Sequence, residues 1–140
     1  MKTLAAIVAL AFFVGVWNIG ASPDRCRTGQ VRGFAIVRGD SRIGIGSLPS
    51  IFSAGQEWFA IRYNCSAKSV LAKRVDEGVY DVWFPGNPAK VAIVSTMNGQ
   101  AASSSVDQIG EGIFRVAIRG PIVENNILVR RELSFYIAVF

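Results

Sequence analysis

The chain has 140 residues, 15 lysines and arginines, 10 aspartates and glutamates, two cysteines and no histidine. That is the length of one domain, and a 51% hydrophobic composition is too apolar for a disordered chain. Without histidine, Ser-His-Asp and Cys-His catalysis and imidazole-ligated metal sites are excluded, and the net charge of +5 is scattered rather than drawn into the basic stripe of a nucleic-acid binder.

Residues 1–21 read as a secretory signal peptide. Lys2 is a short positive start, Leu4 to Trp17 is an uncharged apolar run, and Gly20, Ala21 and Ser22 supply small residues for cleavage after Ala21. The run is shorter than the ~20 residues a membrane-spanning helix needs. The alternative is an uncleaved anchor. Cleavage leaves residues 22–140 as a single all-β domain, secreted or held at the cell surface, with no stable membrane insertion. In that oxidising setting Cys26 and Cys65 are expected to pair.

In chain order, Val31 to Val37 and Arg42 to Ile45 read as a hairpin around Gly39-Asp40. Residues 55–63 carry a weak copy of a pattern seen twice later. Val75-Asp76-Glu77-Gly78-Val79-Tyr80-Asp81-Val82-Trp83-Phe84 matches Ile109-Gly110-Glu111-Gly112-Ile113-Phe114-Arg115-Val116-Ala117-Ile118. In each, alternation of apolar and polar residues marks a half-buried strand, and the glycine marks a reversal, so each unit is an expected hairpin. The incoming strands are Ser69 to Val75 and Ser104 to Ile109. Val91 to Met97 is a further strand, and Leu133 to Phe140, apolar on both faces, is a candidate central strand. Pro85 to Pro88, Gln100 to Ser105 and Gly120-Pro121 read as loops. No stretch sustains a helical period. The expected fold is an all-β antiparallel sandwich or barrel of about eight to ten strands with an internal hairpin repeat.

The run from Arg74 to Phe84, with Val91 to Val94 and the ending Phe135-Tyr136-Ile137-Ala138-Val139-Phe140, resembles β-rich modules of uncharacterised exported bacterial proteins of actinobacterial type. Gly33 to Asp40 resembles their first strand and turn. Some of those modules stand beside collagen-like or tail-fibre-like segments. The resemblance implies a secreted or surface-exposed β-module and no catalytic residue or cofactor.

Several motifs have a functional and a bland reading. Arg38-Gly39-Asp40-Ser41 contains the cell-adhesion tripeptide, but Gly-Asp is also ordinary turn chemistry. Asn64-Cys65-Ser66 fits a glycosylation sequon. Glu77 and Glu111 occupy matching turn positions and would form a glycosidase-like pair only if they faced each other. The strongest candidate is a platform on one outward strand face. If Phe59, Ile61 and Tyr63 point inward, Trp58 and Arg62 point outward, alongside Asp81, Trp83 and Arg115. Tryptophans among arginines suit a stacked sugar or a protein hot spot. The expected function is therefore non-enzymatic binding of a glycan or surface protein. A self-assembling surface module, pairing through Ser134 to Phe140 at a sheet edge, is the alternative, and a carboxylate-only hydrolase comes third.

Overall fold

The computed structural model describes residues 26–27, 29–39, 48–97, 103–124, 127–130 and 133–140. The signal peptide, the segment Arg42 to Ile45, Asp40 and Ser41 lie outside them. Among the described residues there are nine strands: β1 (Gly33–Val37), β2 (Phe59–Asn64), β3 (Leu71–Asp76), β4 (Val79–Trp83), β5 (Ala92–Thr96), β6 (Ser103–Gly110), β7 (Ile113–Glu124), β8 (Ile127–Arg130) and β9 (Phe135–Val139). All pairings are antiparallel. Sheet A has the order β2-β1-β9-β5; sheet B has the order β3-β4-β7-β6, with β8 also on β7. The fold is an all-β sandwich.

Strand alternation builds the core between the sheets. Sheet A contributes Val37, Phe135, Ile137 and Val139, while sheet B contributes Tyr80, Val82, Phe114, Val116 and Ile118. Tyr80 lies against Phe135 with ring centroids 5.2 Å apart, and Phe84 meets Phe114 edge-on at 6.5 Å. The last strand, β9, is central, hydrogen-bonded to β1 on one side and β5 on the other. Its two edges are therefore occupied, which removes the edge pairing assigned to Ser134 to Phe140 in the self-assembly reading.

The hairpins β3–β4 and β6–β7 reverse alike. Each has a register shift just before the turn, leaving Val75 and Ile109 as extra residues, and each turns on a glycine of positive φ, Gly78 at 61° and Gly112 at 64°. Strand extends into two expected loops. β6 begins at Ser103, one residue before the expected strand and inside the expected loop Gln100 to Ser105, with Ser103 to Ser105 paired to β7 from Arg119 to Ala117. Gly120-Pro121 falls inside β7, where pairing to β8 shifts between Arg119 and Val123. A bulge is a place where proline's missing N–H breaks no ladder bond.

The disulfide Cys26–Cys65 is formed, with Cα atoms 5.1 Å apart. Beside it a polar knot fixes three chain segments. The Asn87 side-chain amide donates to the Arg32 carbonyl and to Asn64 Oδ1, and Asn87 Oδ1 accepts the Ala89 N–H. The Asn64 amide donates to the carbonyls of Lys68 and Pro85. Among the described residues no buried side-chain polar atom lacks a partner.

Candidate functional site

The platform expected from the sequence is divided between the two sheets. Trp58 is 9% exposed and belongs to the core cluster. It ends a short 3-10 turn, Gln56–Trp58, so strand alternation does not begin until after it. In β2 the register to β1 shifts between Ile36 and Val37, with Ala60 as the extra residue. The bulge inverts the alternation. Phe59 stays inward, but Ile61 and Tyr63 turn outward and are exposed. Arg62 turns off that face, donating from Nη1 to the Ala54 carbonyl at 2.6 Å with its guanidinium 5.0 Å from the Phe59 ring centre.

Asp81, Trp83 and Arg115 do share the outer face of sheet B. Their register forms a charge ladder across four strands: Lys73 opposite Asp81, Asp81 opposite Arg115, and Arg115 opposite Asp107. Arg115 donates to both Asp81 carboxylate oxygens, from Nε at 2.7 Å and from Nη2 at 3.0 Å, and Lys73 Nζ lies 3.4 Å from the same carboxylate. The hydrogen bonds to Asp81, then its charge, hold the Arg115 guanidinium above its ordinary pKa. Asp81 is only 1% exposed and already occupied, so it has no carboxylate edge to offer a sugar hydroxyl. Trp83 is half-buried against Phe52, at 5.5 Å between centroids. The platform is thus a self-satisfied surface rather than an open one.

The remaining motifs resolve similarly. Asn64 of the sequon is buried, with its amide committed as above, so it is closed to glycan attachment. Gly39 is buried, a Cβ there would lie 2.5 Å from the Leu133 carbonyl oxygen, and its own carbonyl accepts the Tyr80 hydroxyl. Glu77 and Glu111 sit on turns at opposite ends of sheet B. The turn before β4 lies beside Ala117 and the turn before β7 beside Trp83, so the length of β4 separates them, about 13 Å or more at ~3.3 Å per residue. They cannot act as a catalytic pair. A depression of about 400 Å³ on sheet B is lined by Ser103, Ser104, Ser105, Ala117 and Arg119, without a carboxylate.

What sequence reasoning missed is the outer face of sheet A. Register places two rows there. One runs Tyr63, Phe34, Ala138, Ile93 and the next runs Ile61, Ile36, Tyr136, Ser95. Phe34 and Tyr63 stack at 5.6 Å. Ile93 is 61% exposed, Ile61 54% and Tyr136 46%. The four strands of this sheet contain no acidic residue and one basic residue, Arg62, which turns away. Sheet B, by contrast, carries Asp76, Asp81, Asp107 and Glu124 in its strands. The available signal was the both-faces-apolar pattern of Phe135 to Val139, together with Phe34 and Ile93. Recognising it required the position of the Ala60 bulge.

Among the described residues no group of three or more Cys, Asp or Glu side chains is placed to hold a metal, and no helix is long and apolar enough to cross a membrane. Comparison of the chain with protein-family models, curated proteins and solved structures gives no match.

Proposed function

We propose that this protein is a secreted β-sandwich that acts by binding, and that its binding surface is the outer face of sheet A. The observation that carries the reading is the asymmetry between the two outer faces. Sheet B pairs the charges of Lys73, Asp81 and Arg115 across its outer face beside the half-buried Trp83; sheet A meets solvent with large apolar side chains. Contiguous apolar patches beyond a few hundred Å² are uncommon on monomeric proteins and mark interaction sites. The composition fits a protein surface better than a glycan. Tyrosine, phenylalanine and isoleucine dominate; the strands of the face hold no carboxylate to address sugar hydroxyls, and their one amide, Asn64, is buried. The disulfide and the apolar run at residues 4–17 support export.

The test is a photo-reactive phenylalanine analogue placed at Tyr136 or, as control, at Trp83, in cells that export the protein. Cross-links from position 136 and none from position 83 are expected. Cross-links from neither, or from position 83 alone, would overturn the assignment of the face.

A further inference from the structure

We infer that the occupant of this face is a second copy of the chain, seated sheet A against sheet A about a two-fold axis. The inference rests on the assignment of that face as the binding surface and names its partner. Three observations carry it.

The first is area. Phe34, Ile61, Tyr63, Ile93 and Tyr136 are each 39 to 61% exposed. At 150–250 Å² for a full large side chain, they present roughly 500 Å², so two copies bury about the 1,000 Å² that a specific interface requires. The second is charge. The chain carries +5, which opposes association of most surfaces with themselves, yet the strands of sheet A contribute no charge to this face. A face depleted of charge matches the homodimer class, which is more apolar than interfaces between unlike proteins.

The third is relief. Sheet A has four strands, so a two-fold axis can run along the strand direction between β1 and β9. That axis exchanges β1 with β9 and β2 with β5. Within the observed rows it lays Phe34 of one copy over Ala138 of the other and Ile61 over Ser95, large on small. Ile36 meets Tyr136 and Tyr63 meets Ile93, apolar on apolar. Face-to-face packing of aligned sheets is an ordinary layer arrangement.

Sedimentation equilibrium of the purified, oxidised protein tests this from about 1 to about 200 μM, the range in which an interface of this size associates. The expected mass rises from that of one chain to that of two. Ile93→Asp and, as a second disruption, Tyr136→Asp should each hold the protein monomeric, while Ser105→Asp on sheet B should leave the dimer unchanged; far-ultraviolet circular dichroism confirms that each variant is folded. A monomer throughout, or a dimer that survives both substitutions, overturns the inference. If the protein is monomeric and position 136 still cross-links to a different protein, the second copy is wrong but the face stands. If nothing cross-links there either, both readings fall.

Discussion

Gly112 shows how a single residue's conformation positions an entire hairpin. Its φ of 64° is open to glycine and costly for other residues, and a Cβ would come 2.5 Å from the Phe84 carbonyl oxygen. Gly112→Ala should therefore lower stability by at least about 1–3 kcal/mol in urea denaturation, from the strained backbone alone. Trp58 and Trp83 should behave differently. Trp58→Ala empties part of the core and should cost about 3–5 kcal/mol, whereas Trp83→Ala, on the outer face of sheet B, should cost clearly less in the same assay. Equal losses would contradict the placement of Trp58. At this scale the turn glycines were legible, because positive φ is a local demand that glycine answers. The Asn87 knot was not, since its partners Asn64 and Arg32 lie 23 and 55 residues away.

Among the elements, alternation located β4 and β7 and their inward faces correctly, because each of those faces runs unbroken through its paired segment, and the two apolar faces of Leu133 to Phe140 marked β9 as a central strand. It failed in β2, where one extra residue inverts everything after it. It fell one residue short at the start of β6, where Ser103 reads as linker yet pairs with Arg119, while Ser104 to Ile109 was legible as strand. The pairing of Cys26 with Cys65 followed from redox setting and number alone. That bridge closes a separation of 39 residues and fastens the start of the domain to the end of β2. Replacing both cysteines by serine should reduce stability by roughly 3–4 kcal/mol on the chain-entropy argument. The intact mass of exported protein should equal Ser22 to Phe140, with no thiol alkylated before reduction. A full-length mass with two alkylated thiols would contradict export and bridge together.

For the whole molecule, the sandwich is two-faced. Sheet B pairs charges within its outer face, with Asp81 between Arg115 and Lys73. Sheet A leaves aromatic and aliphatic side chains exposed on strands that hold no acidic residue. The strand-rich sandwich was legible from period and turns; the asymmetry was not, because it depends on which strands share a sheet. The most direct test is hydroxyl-radical footprinting of the exported protein, as harvested and after dilution far below the concentration of association. Tyr63, Phe34 and Tyr136 should be protected at harvest and become reactive on dilution, while Trp83 reacts equally in both. Full reactivity of the sheet A residues already at harvest, unchanged on dilution, would show that the face stands bare in solution, and would contradict its role as the binding surface.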